Sequence, residues 1–296
     1  MIHLRAPAKV NLYLRVLGRR ADGYHEIETL FERIDLEDEL TFAVHSRDIQ
    51  LTCTDAQLSC GKDNLVMKAA RLLQQISGTT RGARIHLTKR IPIAAGLGGG
   101  SSDAATTLLG LNELWELRLK PQQLVELATT LGSDVPFFLS QAAFAIGRGR
   151  GEVCEPIVGG PQLFHVLVCP NTRLSTKEVY ESARFDLTAS KPSSTMIIHA
   201  LRNGSLGELA TGLWNDLEPE AIRRCPVIAL IQSQLRQLGC LGVRMSGSGP
   251  SVFGLCRDAA QAHEVVTQMR TRMTSPCRIE IVQTDSSSRV ATPSLA

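Results

Sequence analysis

What is missing narrows this chain first. Its cysteines, at positions 53, 60, 154, 169, 225, 240, 256 and 277, include no Cys-x-x-Cys pair, which argues against a zinc ribbon or a thioredoxin-like redox motif. Cys169 and Cys256 end apolar runs, so buried reduced thiols are expected rather than disulfides. No stretch approaches membrane-spanning length, and the start Met-Ile-His-Leu-Arg carries no long apolar segment. A cytoplasmic protein without membrane contact is therefore expected. The net charge of +3 comes with no dense basic run, so no nucleic-acid partner is expected either. Aromatics are scarce. What remains is a globular balance, 43% hydrophobic and 21% charged, in 296 residues, enough for one large domain or two ordinary ones.

Glycine is the opposite case. In Pro92-Ile-Ala-Ala-Gly-Leu-Gly-Gly-Gly-Ser-Ser-Asp-Ala-Ala105, Gly96, Gly98, Gly99 and Gly100 crowd into five positions ahead of an Ala-rich helical run. Backbone without Cβ atoms can curl until successive N–H groups point into one hollow. A helix starting near Ser101 or Ser102 aims its free first-turn N–H groups and positive dipole end at the same space. Such a hollow is a seat for phosphate oxygens. A flexible turn with an ordinary serine N-cap is the plainer alternative. No Gly-Lys-Ser/Thr follows, so this is not a Walker A loop. The dinucleotide pattern GxGxxG fits only if Ser101 stands for its last glycine. A lysine for the phosphates must then come from elsewhere.

Residues 4–17 alternate as a strand, with Val10, Leu12, Leu14 and Val16 on one face and Lys9, Asn11 and Tyr13 on the other. Lys9 and Asn11 then project together among small neighbours, unless they are simply the solvated face of an edge strand. Asp22-Gly23 signals a turn, with Tyr24 and His25 at its lip. Strands are expected through 38–54 and 83–88, with helices over 63–77, from the glycine run to about Leu117, and from Pro121 to Gly132. Gly132-Ser-Asp-Val-Pro-Phe-Phe138 follows. Pro136 holds Val135 extended, so Asp134 sits on a stiff turn past a helix end. A turn Asp is most often a local acceptor, yet a rigid carboxylate flanked by Val135, Phe137 and Phe138 is one whose direction and pKa can be controlled. A strand breaks into a Gly/Arg loop at 143–151, and Gly159-Gly160-Pro161 reads as the linker.

The second half runs strand 164–169, a capping-box helix from Ser175 and Glu178 that carries Tyr180, then helices at 194–201, 205–213 and 226–238. Strands at 242–246 and 251–256, a helix at 258–273 and a strand at 278–283 follow. This order predicts a ferredoxin-type α+β layer with extra helices inserted early. The expected division is 1–158, 159–285 and a Ser-rich disordered tail at 286–296.

In order along the chain stand APAKVNLYL at 6–14, GRRADGYHEI at 18–27, PIAAGLGGGSSDAA at 92–105, GSDVPFF at 132–138 and MSGSGPSVF at 245–253. With these blocks the sequence resembles the GHMP-type small-molecule kinases over about residues 2–284. The Lys-Val-Asn-Leu and Arg-Ala-Asp-Gly-Tyr-His blocks resemble the branch acting on a cytidine-diphosphate-linked erythritol. The resemblance implies a two-domain α+β architecture, with an N-terminal mixed-sheet nucleotide-binding domain and a C-terminal ferredoxin-like layer. It implies ATP-dependent phosphorylation of that substrate's 2-hydroxyl in the non-mevalonate route to isoprenoid precursors, with ATP and Mg²⁺. It places the phosphates on Pro92, Ile93, Ala94, Ala95, Gly96, Leu97, Gly98, Gly99, Gly100, Ser101 and Ser102. Catalysis falls on Lys9 and Asp134, and the adenine pocket near Asn64 and Lys89. Cytosine is held between Tyr24 and Tyr180 and read by His25, with Asn11 beside the catalytic lysine. A monomer or weak homodimer is expected. The same scaffold also hosts diphosphomevalonate decarboxylase, homoserine kinase and mevalonate kinase, and a non-catalytic nucleotide or sugar sensor is a further alternative.

Overall fold

Two long antiparallel strands, β1 (Ile2–Arg19) and β2 (His25–His45), form the spine of the first half. The computed structural model describes residues 1–185 and 191–287. Beside the spine lie β3 (Ile49–Cys53), α1 (Leu65–Ser77) and β4 (Gly82–Thr88). α1 starts where the Asn64 side chain accepts from Val66 N–H and ends at Gly78, which is left-handed at φ 66°. Next come α2 (Gly99–Leu114), α3 (Pro121–Leu131), α4 (Val135–Leu139), β5 (Phe144–Arg148) and β6 (Val153–Ile157). β2 pairs with β4 at one end and with β5 at the other, and the main sheet runs β3-β4-β2-β1-β8. The last member, β8 (Trp214–Asn215), returns from far along the chain to pair in parallel with Tyr13 and Leu14.

The second sheet holds β7 (Phe164–Pro170), β9 (Gly242–Met245), β10 (Val252–Cys256) and β11 (Cys277–Gln283) in the order β11-β7-β10-β9, all antiparallel. That is the 4-1-3-2 order of the expected ferredoxin-type layer. Its helices are α5 (Thr176–Ser182), α6 (Ser194–Arg202), α7 (Leu206–Gly212), α8 (Glu218–Arg224), α9 (Val227–Gln237) and α10 (Ala259–Arg272). One apolar cluster takes Val10 and Leu12 from β1, Leu167 from β7, Phe253 from β10 and Ile197 from α6. Burying those side chains together holds the two sheets in register with each other.

Several expectations need correction. Tyr13 does not share a face with Lys9 and Asn11; it packs in the cluster of Val10 and Leu12, wholly buried. Between Asn11 and Tyr13 the strand spends two residues against one on β2, a bulge that resets the alternation. β1 is no edge strand, since β2 and β8 flank it. α2 begins at Gly99, earlier than Ser101, because Gly98 already turns the chain at φ 69°. It stops at Leu114 rather than Leu117, where Glu116 and Arg118 turn left-handed. β6, β8 and α8 were not anticipated: β8 is two residues long and α8 opens on Glu-Pro-Glu, so neither carries an apolar period. At the C-terminus, Arg33 donates to the Ser287 carbonyl at 2.6 Å; positions 288–296 of the expected tail lie outside the described residues.

Candidate active site

The bulge in β1 sits where polar side chains turn inward. Lys9 is only 3% exposed, and its ammonium has three oxygens around it. It donates to Asn11 Oδ1 at 2.5 Å and to the Gly96 carbonyl at 3.1 Å, and stands 3.4 Å from Asp134 Oδ2. Asn11 is itself oriented. The Thr29 hydroxyl donates to Tyr13 O at 2.6 Å, so it accepts from Asn11 Nδ2 at 2.8 Å, which turns Oδ1 toward the lysine. The lysine stem is clamped under the loop, since a Cβ on Gly98 would lie 3.0 Å from Lys9 Cγ and from Phe138 Cζ.

Asp134 is the N-cap of α4 at φ −83°, ψ −12°, and its side chain caps no N–H there. Pro136 does not hold Val135 extended as expected: Val135 is the first residue of a short helix, with the proline in its first turn where no N–H is missed. Val135, Phe137 and Phe138 are buried beneath it, while the Asp134 side chain stays 31% exposed at the cleft. An uncapped carboxylate facing a buried ammonium is free to accept a proton from a third group.

The glycine run is held from both halves of the molecule. Lys9 N–H donates to Leu97 O at 3.0 Å, and Ser251 N–H donates to Ala95 O at 3.3 Å. The Gly96 carbonyl accepts from Ser246 Oγ at 2.9 Å as well as from Lys9. Gly96 is left-handed at φ 77°, and a Cβ there would come within 2.2 Å of Ser246 O, so no other residue fits. Gly98 closes the turn as the N-cap of α2 without any side-chain cap bond. The N–H groups of Gly99, Gly100 and Ser101 consequently have no intrahelical acceptor.

These groups line one cleft of about 1200 Å³. Lys9, Asn11, Tyr24, His25, Asn64, Lys89, Asp134 and Tyr180 all border it, as does the run from Pro92 through Ser101. Ser102 does not; it is buried in α2 behind the loop. Lys89 reaches the wall of the cleft, but its ammonium is engaged by Asp38 and lies 3.3 Å from Asp103. At the far end Tyr24 is 57% exposed with the Arg150 guanidinium 4.9 Å from its ring centre. His25 stacks on Tyr180 at 5.4 Å and 28°, with Phe185 at its edge. Partial burial, and then the Arg19 charge, lower the His25 pKa, favouring a neutral imidazole. Burial, and then the Asp134 charge, raise the Tyr180 pKa and keep its phenol protonated. α5, which carries Tyr180, is tied to the loop's neighbour by Thr176 Oγ1 and Ser248 Oγ at 2.7 Å.

Thr29, Ser246, Asp38 and Asp103 were not singled out from the sequence as site residues. Ser246 lies 150 positions from the carbonyl it holds. Nothing in its own surroundings announces that partner, although the Met-Ser-Gly-Ser-Gly block was legible. Asp103 was visible as the residue after Ser-Ser, but no spacing pairs it with Lys89.

Models of the GHMP kinases N terminal domain and the GHMP kinases C terminal region match residues 64–142 and 197–275. A 4-diphosphocytidyl-2-C-methyl-D-erythritol kinase of Pelotomaculum thermopropionicum is 45% identical over 90% of this chain and 92% of its own. One from Geobacter metallireducens is 45% identical over 88% and 90%. A crystal structure of a 4-(cytidine 5'-diphospho)-2C-methyl-D-erythritol kinase superposes with a TM-score of 0.78 at 38% identity, covering 95% of this chain and 98% of that one.

Proposed function

This chain belongs to the GHMP kinases, and we propose that its cleft transfers the γ-phosphoryl group of ATP to the 2-hydroxyl of 4-diphosphocytidyl-2-C-methyl-D-erythritol. It is an ATP-dependent phosphotransferase with an alcohol as acceptor. The observation that carries the site assignment is the convergence of Lys9 and Asp134, 3.4 Å apart, beside the Gly96 bend.

Phosphoryl transfer asks a protein for positioning and charge stabilisation more than for covalent chemistry. The N–H groups of Gly99, Gly100 and Ser101 and the helix dipole seat the phosphates. Asp134 accepts the proton of the attacking hydroxyl as its oxygen bonds to phosphorus and the bond to the β-phosphate oxygen breaks. Lys9, fixed by Asn11 and Gly96, faces Asp134 and offsets charge on the transferring group. Asn64 and Lys89 border the space assigned to adenine. Tyr24 and Tyr180 supply the aromatic faces for cytosine, and His25 its hydrogen bond.

Mg²⁺ is part of the proposal. Magnesium takes oxygen ligands, commonly one or two carboxylates together with substrate phosphates and water. Among the described residues no group of three or more acids, histidines or cysteines stands together to hold a metal, and Asp134 is given to the proton, so the ion would be held by the substrate phosphates and water. When bound, the ion neutralises phosphate charge.

An ADP-release assay with ATP tests the reading across the cytidyl erythritol substrate, mevalonate and homoserine. Turnover is expected with the first alone. Preferred turnover of mevalonate or homoserine, or release of CO₂ from a diphosphorylated mevalonate, would overturn the substrate assignment.

A further inference from the structure

Behind the first turn of α2 lies a charged cluster of which the proposed mechanism uses only Lys89, at the edge of the space assigned to adenine. Lys89, Asp38 and Asp103 are side by side with side-chain exposures of 5%, 0% and 2%. One cation faces two acids in a space that water hardly reaches. The acids are not equivalent. Asp38, from β2, accepts the Arg90 N–H at 2.5 Å, the Ile91 N–H at 2.9 Å and the Lys89 ammonium. Three donors fill its two oxygens. Asp103, from α2, has the ammonium at 3.3 Å, the Asp38 carboxyl group beside it, and one buried oxygen, Oδ1, with no partner. Two carboxyl groups in contact cannot both be ionised without a large penalty, so the proton of the pair belongs to Asp103. The cluster then sums to zero charge.

Its position gives that sum a consequence. A Cβ on Gly99, the first residue of α2, would lie 2.9 Å from Lys89 Nζ. The ammonium is thus packed against Gly99, whose N–H is among those proposed to seat phosphate, and Asp103 and Lys89 both border the cleft. We propose that Asp103 is a positioning residue for nucleotide binding: it holds Lys89 against Asp38 beneath the first turn of α2 and keeps the floor of the anion seat free of net charge. The inference rests on the loop being the nucleotide seat. Losing the shared proton would leave a buried negative charge under the phosphates. Desolvation, outweighing the Lys89 charge and reinforced by Asp38, raises the Asp103 pKa to about 8, close enough to neutrality for that loss to be observed. The charged groups facing Asp103 are Asp38 from β2 and Lys89 from the segment after β4. The cleft's other buried ammonium, Lys9 on β1, is engaged by Asn11, Gly96 and Asp134.

Calorimetric titration of the full chain with ATP from pH 6.5 to 9.5 tests this. Wild-type affinity is expected to fall by about 10-fold across the range, the order expected for one buried charge acting over a short distance. The Asp103→Asn variant, permanently neutral, is expected to hold its affinity level over the same range. A second readout needs no variant: near pH 8, titrations in buffers of different ionisation enthalpy should show ATP binding with net proton uptake. Equal pH profiles for the two proteins, or binding without proton uptake, would overturn the role of Asp103 while leaving the seat in place. Failure of ATP to bind at any pH would overturn the seat and this inference together.

Discussion

The two ends of the cleft are built from different materials. The glycine end is made of backbone: its shape depends on Gly96 and Gly98 being left-handed, and its carbonyls are held from β1 and from Ser246 and Ser251. The aromatic end is made of side chains, and those side chains occupy one another. Arg150 lies over Tyr24, and His25 stacks on Tyr180. A backbone seat comes ready formed, because its donors cannot rotate away without unfolding a turn. A side-chain slot has to exchange internal stacking for ligand stacking, so its affinity is a difference between two similar contacts. The proposed chemistry sits at the rigid end, where a misplacement of an ångström matters most.

The sharpest way to break this contrast is to remove the fixed charges at the rigid end. Asp134→Asn and Lys9→Ala are each expected to lower kcat by at least about 100-fold, measured by ADP release on variants whose thermal melting shows an intact fold. Near-normal turnover by either protein would remove its assigned role. Next in size is the aromatic end. Tyr24→Ala should weaken the cytidyl substrate by roughly 1–3 kcal/mol, with ATP KM nearly unchanged. A larger change in ATP than in the cytidyl compound would exchange the two ends.

Gly99→Val probes the seat from below, since its side chain would enter space held by Ile91 and Lys89. ATP KM should rise by about tenfold, with stability lowered by about 1–3 kcal/mol from overpacking. Unaltered ATP affinity in a binding titration would count against the loop.

The smallest effect concerns acid. His25 has a folded pKa below its ordinary value of 6.5, because burial disfavours the charged ring. The folded state therefore binds fewer protons, and the stability conferred by the neutral ring is present above pH 6.5. It is lost as the pH falls through the folded value. Cytidyl-substrate affinity should decline over the same window while ATP affinity holds. His25→Gln should flatten the decline, and an unchanged decline in that variant would assign it to another group.

Much of the fold was legible because burial writes a period into the chain. The stripe of α10 and the strands of the second sheet stand where their apolar spacing puts them, whereas α1 buries Val66, Met67, Ala69, Ala70 and Leu73 and leaves Ile76 exposed. The glycine run announced a turn whose backbone only glycine adopts at Gly96 and Gly98. Elements too short to hold a period did not show: β8 is two residues long, and the bulge in β1 is a single residue that reverses the face of Tyr13.

The sequence by itself determined which residues are on offer for the proposed chemistry: a lysine and an asparagine two positions apart, a glycine bend before a helix, and an acid two positions before a proline. It did so because residue type and local backbone preference act over a few positions. Only the tertiary structure decided that Lys9, Gly96 and Asp134 meet, that Ser246 holds the loop, and that Lys89 lies between two acids. Those meetings depend on how two sheets pack over a shared core, and packing joins residues that no local spacing relates.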